Sequence, residues 1–391
     1  MVYGHYYLAR EWVLTGHQVT IIAASFAHPR FNQPIQRRHL TVEVIDGIRY
    51  LWVPTPAYAP SGRFGRIRNI LSFTLRTWLG SLPVDQADLI ICSSHHPFPI
   101  HAAHRLARRF SARLVFEVRD LWPLTLIELG GISPSNPFIR LMQLSENYAY
   151  RHADHVVSVL PSAKEYMIAH GMTPHKFIHI PNGVDLATEE QHEAVPEEIA
   201  AILNEARNQG KFIVGYAGRM GLANALHILL DAISLCPDLN VCAALLGDGS
   251  HKNELQAQAT RLGIEDRVFF FPSVPKTQVR DFLSRVDAAY IGLQRQPLFR
   301  FGTCPTKLND YMLAALPIIH AGDTPYDIVT LSGAGLSCEP GNPQKLSQAI
   351  MLLKSYTAKQ RREMGEKGYR WIRDNRNYRL LARNFLDAVT Q

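Results

Sequence analysis

Thr306, Lys307 and Asp310 lie close enough in sequence to act together on a charged ligand, within the stretch FGTCPTKLNDYMLAALP at 301–317. Gly302 and Pro305 mark a tight turn, and the residues after it carry the pattern of a helix start. Exposed backbone N–H groups at a helix start, with a lysine in the first turn, suit an anion such as a phosphate. Asp310 follows Lys307 at i,i+3 spacing, which sets both on one helix face. A cation for phosphates beside a carboxylate for hydroxyls suits a phosphorylated sugar better than an apolar ligand. The same residues also fit a plain surface helix with an i,i+3 ion pair.

The elements around this stretch favour a site. Glycine turns follow apolar runs: Ala217-Gly218-Arg219 after 212–216, Gly247-Asp248-Gly249 after 241–246, and the 302–307 turn after 288–293. Further apolar runs at 268–271 and 317–320, with helical stretches between, give the alternation of a parallel sheet wrapped by helices. The first half repeats it with runs at 19–24, 88–92, 114–118, 155–160 and 177–180, and with helices predicted at 5–15, 100–110 and 137–151. Asp46-Gly47, between 42–45 and 48–53, signals a hairpin. The turn-rich IPNGVD and the polar, acidic stretch to about residue 210 separate the two series. The expected fold is therefore α/β, with two doubly wound parallel-sheet (Rossmann-like) domains and a ligand cleft between them. The domains are placed at 1–185 and 186–370.

Composition narrows the function. At 391 residues, 47% hydrophobic and 19% charged, the chain is that of a globular protein of two or three domains. It has no apolar run of about eighteen residues, so no transmembrane helix is predicted, and its first residues lack a secretory layout. Cys92, Cys236, Cys242, Cys304 and Cys338 show no CxxC spacing, which speaks for a reducing compartment and against structural zinc. Residues 1–185 hold 18 of the 41 Lys+Arg against 12 of the 34 Asp+Glu, so most of the +7 net charge sits there, chiefly on arginines. That suits a phosphate-bearing or membrane-surface partner; no nucleic-acid module accompanies it. In RFGRIRNILSFTLRTW (63–78), Ile67, Leu71, Leu75 and Trp78 recur at helical spacing beside Arg63, Arg66, Arg68 and Arg76. Such a helix either lies on an anionic membrane or packs on its own sheet. No GxGxxG, Walker, HExxH or GxSxG motif occurs, which weighs against a dinucleotide oxidoreductase, a P-loop enzyme, a zinc protease and a hydrolase.

The segments LAREWVLTGHQVTII, EVIDGIRYLWVP, FEVRDLWP, RHADHVVSVL, IPNGVD, GYAGRMGLANAL, LLGDGS and GTCPTKLNDYM run over nearly the whole chain. In this order and spacing the chain resembles the retaining glycosyltransferases of family four, with the GT-B fold. It is most similar to the branch extending lipid-linked O-antigen or capsule sugars, including acetylfucosamine-transferase-like enzymes. The resemblance implies transfer from a nucleotide-sugar, of UDP type, to a lipid-linked saccharide in surface polysaccharide synthesis. That places the enzyme in the cytoplasm or peripherally on the cytoplasmic face of the inner membrane, with contact through 63–78. It implies a hexosyl- or N-acetylhexosaminyl-transferase with no metal and no cofactor, the nucleotide-sugar being a substrate. The last segment, 371–391, is expected to be a helix crossing back to the N-terminal domain.

The resemblance also assigns residues. The donor belongs to the C-terminal domain, with Gly218 and Arg219 at its diphosphate and Lys307 and Thr306 sharing that load. Val274, between Ser273 and Pro275, edges the base; Gly247 allows close approach; Asp310 faces the hydroxyls. On the acceptor side Asp120 is the catalytic candidate, with Arg119, His95 and His96 beside it. Arg219 and Lys307 stabilise the departing diphosphate. Departures from the family pattern are Asp310 and Gly302 where a pair of glutamates is usual, and Asn224 where a lysine is common. Family members also begin with a strand and a glycine-rich loop. About twenty residues, a central strand among them, are therefore expected to be missing before Met1, leaving a gap in the N-terminal sheet. A nucleotide-sugar epimerase of the same fold and a non-catalytic, truncated donor-binding homologue are the alternatives.

Overall fold

The computed structural model describes residues 3–27, 33–34, 38–59, 62–187 and 192–390. Two units result: Met1–Gly183 together with Tyr378–Gln391, and Val184–Asn377.

The first unit contains β1 (Thr20–Ala24), β2 (Thr41–Ile45), β3 (Ile48–Val53), β4 (Leu89–Ser93), β5 (Arg113–Val118), β6 (His155–Ser158) and β7 (Phe177–His179). Its described strands form two sheets, β1-β3-β2 and β4-β5-β6-β7. Asp46-Gly47 turns β2 into β3 as an antiparallel hairpin, whereas β1 runs parallel to β3 and the second sheet is wholly parallel. Leu114, Val115, Phe116 and Val118 of β5 are all buried, as expected for a strand covered on both faces. The first and last helices complete this unit. Leu8 and Trp12 of helix Tyr3–Leu14 pack with Leu381, Phe385 and Val389 of helix Tyr378–Thr390. The Trp12 indole N–H donates to the Ala382 carbonyl at 2.9 Å.

The second unit contains β8 (Phe212–Ala217), β9 (Val241–Leu246), β10 (Val268–Phe271), β11 (Ala288–Gly292), β12 (Ile318–Ala321) and β13 (Gly335–Cys338). All pair in parallel, in the order β10-β9-β8-β11-β12-β13. The first strand stands in the middle, the next two step one way and the last three the other. The order reverses between β8 and β11, and in such sheets a ligand crevice opens there, beyond the carboxyl ends of the strands. Every residue of β8, β9, β11 and β12 is buried, so this sheet is a rigid floor for the loops above it. Both units are thus Rossmann-like α/β folds, as the alternation of elements predicts.

Candidate functional site

The reversal point of the second sheet gathers most of the residues singled out on the donor side. Gly218, just past β8, has φ +149° and Gly247, just past β9, has φ +140°. A Cβ on Gly247 would lie 2.0 Å from the Gly218 carbonyl oxygen, so only a glycine lets the two turns nest. A Cβ on Gly218 would lie 3.3 Å from the Lys307 Cε; the lysine stem packs on the bare turn. Lys307 arrives from helix Thr306–Leu313, where Pro305 holds the N-cap position and no side chain caps the first turn. Thr306 opens that helix on the exposed side.

Lys307 is a cation among neutral groups. Its Nζ donates to Asn224 Oδ1 and, at 3.2 Å, to the Tyr216 hydroxyl, and it stands 5.0 Å from the centre of the Tyr216 ring. Both partners are oriented by one atom: Asn224 Nδ2 and the Tyr216 hydroxyl donate to the Arg219 carbonyl at 2.9 and 2.7 Å. No carboxylate pairs with Lys307 among the described residues. Burial lowers its pKa to about 8. The Arg219 side chain is exposed at the same turn.

Asp310 does not pair with Lys307. Its carboxylate takes the ammonium of Lys276, at the start of helix Lys276–Ser284. Burial raises the Asp310 pKa, and the Lys276 charge and hydrogen bond work against that rise. Asp248 ties the β9 turn to the β10 turn: Oδ1 accepts from Lys252 at 2.9 Å and Oδ2 from the Ser273 N–H at 3.0 Å. The Lys252 and Ser273 bonds bring its pKa to about 2. Val274 follows Ser273, half-buried against the core. Gly218, Arg219, Gly247, Asn224 and Lys307 therefore form one corner. Val274 is joined to it through Asp248, and Asp310 lies along the helix, held by a lysine that local sequence spacing does not reveal.

In the first unit the candidates lie past the ends of β4 and β5, around a carboxylate missed in the sequence. Glu117 is 3% exposed. His5 Nε2 stands 2.6 Å from Glu117 Oε2 and 2.7 Å from Ser93 Oγ. Arg119 donates to Glu117 Oε1 at 3.1 Å and to Asn182 Oδ1 at 2.6 Å. Burial alone would raise the Glu117 pKa, but the charges and hydrogen bonds of His5, Arg119 and Ser93 hold it well below the usual carboxylate range. Arg119 is thus engaged internally. Asp120 reaches the surface, and its pKa is raised by partial burial despite the neighbouring Arg119 charge. Burial lowers the pKa of His95 to about 4 and of His96 to about 3, with neighbouring positive charge adding to both; each ring is neutral near pH 7. His95, although crowded by its neighbours, keeps solvent exposure, whereas His96 is buried with Nδ1 lacking a hydrogen-bond partner. The signal for Glu117 was available: an acidic residue inside the apolar run LVFEV.

Among the described residues no group of three or more His, Cys, Asp or Glu side chains is arranged to hold a metal.

Comparison with known proteins places the chain. Residues 5–183 match the family described as "Glycosyl transferase 4-like domain", and residues 198–371 match "Glycosyl transferases group 1". The two matches together span nearly the whole chain, which belongs to the family-four glycosyltransferases of the GT-B fold. Over 242 residues it is 26% identical to WbjE of Pseudomonas aeruginosa, named as a probable glycosyltransferase, covering 60% of this chain and 58% of that one. Over 268 residues it is 23% identical to WcaI of Escherichia coli (strain K12), described as "Putative colanic acid biosynthesis glycosyl transferase", covering 66% and 65%. The matched stretches thus span less than two thirds of either relative. Among solved structures, sucrose-phosphate synthase from Thermosynechococcus elongatus superposes with a TM-score of 0.72 at 15% identity, over 97% of this chain and 90% of that one. Alr3699/HepE of Anabaena, in complex with UDP-glucose, superposes with a TM-score of 0.62 at 18% identity, over 88% and 86%. These two share the fold.

Proposed function

We propose that the protein transfers a sugar, with retention, from a UDP-type nucleotide-sugar to a lipid-linked saccharide during surface polysaccharide synthesis. The observation that carries this reading is Lys307: a half-buried cation with neutral partners, beside nested glycine turns and an uncapped helix start. Among the described residues no carboxylate pairs with that ammonium, and a diphosphate offers it several acceptor oxygens. The Anabaena relative of this fold is described with UDP-glucose bound, and the WcaI relative is named for colanic acid biosynthesis. Both support the choice of donor and pathway class.

As the anomeric C–O bond breaks, negative charge grows on the leaving diphosphate. Lys307 and the exposed Arg219 stabilise that charge more than they stabilise the bound donor, which lowers the barrier without a metal. The acceptor oxygen attacks the same face from which the diphosphate departs and gives its proton to the departing phosphate oxygen, so configuration is kept. Asp120 belongs to the acceptor side in this scheme, polarising the hydroxyl or stabilising positive charge on the sugar. Asp310 contacts sugar or ribose hydroxyls, and the Ser273–Val274 backbone edges the base.

The test is incubation of the full chain with UDP-sugars, with and without a lipid-linked saccharide and EDTA. Slow UDP release without acceptor and EDTA-resistant transfer with it are expected. Epimer formation without UDP release would overturn the assignment. Lys307→Ala is expected to lose both donor binding and transfer; unchanged UDP affinity in that variant would sink the diphosphate assignment.

A further inference from the structure

Five exposed large apolar side chains come from one helix of the first unit, Arg63–Leu79: Phe64, Leu71, Leu75, Trp78 and Leu79. Phe64 is 89% exposed and Leu79 71%. At about 100° per residue all five fall on one arc about 100° wide. Ile67, Arg68, Ser72 and Arg76 share an open groove with Phe64, Leu71 and Leu75. This stripe is not the helix's packing face. The opposite side is fastened by Asn69, whose Nδ2 donates to the Pro56 carbonyl at 2.9 Å and the Phe26 carbonyl at 3.3 Å. Phe73 packs there with Val53, Leu82 and Leu106. Of the two readings the sequence leaves open for this helix, packing on its own sheet therefore fails for Leu71, Leu75 and Trp78.

The charges select the partner. Arg68 projects within the arc, between Leu75 and Leu79, and Arg76 beside its edge; both are exposed, the helix carries no acidic residue, and the Arg63 side chain lies outside the described residues. A second copy docking by two-fold symmetry would set these arginines against their own equivalents with no carboxylate on the helix to offset them. An anionic bilayer offers both an acyl boundary for the stripe and phosphates for the arginines. Among the described residues no helix is long and apolar enough to cross a membrane, so the helix would lie in the interface.

We infer that helix Arg63–Leu79 docks flat on an anionic lipid surface, with Phe64, Leu71, Leu75, Trp78 and Leu79 in the acyl boundary and Arg68 and Arg76 at lipid phosphates. That this is the surface presenting the acceptor rests on the proposed function; the docking itself does not.

The test is co-sedimentation of the full chain with phosphatidylcholine vesicles, with or without about one-third phosphatidylglycerol. Binding is expected to the anionic vesicles only, weakening as salt rises. The double variant Leu75→Ser/Trp78→Ser should lose at least about tenfold in partitioning, and Arg68→Ala/Arg76→Ala about fivefold per arginine. The Arg68→Ala/Arg76→Ala pair carries the test should the apolar double variant misfold, as its melting curve would show. Equal partitioning of wild type and variants, or none by either, would overturn the inference. So would a dimer in sedimentation velocity that Trp78→Ser dissolves, since a second copy would then cover the face. UDP titration on the same samples separates the two readings. Vesicle binding without UDP binding removes the proposed function and leaves the docking; UDP binding without vesicle binding does the reverse.

Discussion

Both units collect charge near the carboxyl ends of their parallel strands, and they treat it in opposite ways. In the first, Glu117 is sandwiched between His5 and Arg119, and Arg119 is further held by Asn182. Charge there is matched inside the protein. In the second, Lys307 has an amide oxygen, a phenol and an aromatic face around it, and its charge is left for something else to match. A self-compensated cluster stabilises and orients; an uncompensated one lowers stability and waits for a ligand. On the proposed reading, the difference separates a scaffold cluster from a candidate binding site.

Breaking the matched cluster should give the largest stability effect. Glu117→Gln leaves His5 and Arg119 facing no carboxylate and should cost about 3–4 kcal/mol in urea unfolding, with UDP affinity unchanged within about twofold. If the cost is under about 1 kcal/mol, the network is not structural and the contrast fails. In the wild type its depressed pKa contributes stability that is present above the ordinary glutamate value of 4.5 and is lost as the pH falls below it.

The unmatched site should show the reverse sign. With a folded pKa of about 8 against an ordinary 10.5, Lys307 pays its burial cost in full below about pH 8, and the cost fades as the folded state releases its proton between those values. Lys307→Met is therefore expected to raise stability by about 1–3 kcal/mol at pH 7, with the gain vanishing toward pH 10.5, while UDP binding falls by at least about a hundredfold. A melting temperature that drops in this variant would show the ammonium to be structural after all. Wild-type UDP affinity should itself decline above about pH 8, which calorimetry across pH 7–9.5 would reveal.

Arg219→Ala should have the smallest effect on folding, within about 0.5 kcal/mol, because the side chain is exposed. UDP affinity should fall about tenfold in low salt and less in high salt. A salt-insensitive loss would place the arginine away from the diphosphate.

What was legible in the sequence follows from what is local. The glycine turns, the Thr306–Lys307 helix start and the strand–helix alternation each live within a few residues, where backbone geometry and apolar spacing leave a mark. The partners of the charged groups do not. Asn224 is 83 residues from Lys307, Lys276 is 34 from Asp310 and His5 is 112 from Glu117. Spacing along the helix suggested Lys307 and Asp310 as partners; tertiary packing turned each to a different neighbour. Glu117 announced itself as an acid in an apolar strand, but its partners became visible only with the first helix in place.

The chain leaves its first unit after Gly183 and returns at Tyr378, with the Val184 N–H bonded to the Arg376 carbonyl at 2.7 Å beside that crossing. The returning helix covers Leu8 and Trp12 and accepts Arg113 at the Val389 carbonyl, 2.7 Å away. On the ribosome, the first unit is therefore completed only after the second has been made. Its apolar face around Trp12 stays open through the making of the whole second unit, and closes only when helix Tyr378–Thr390 leaves the exit tunnel.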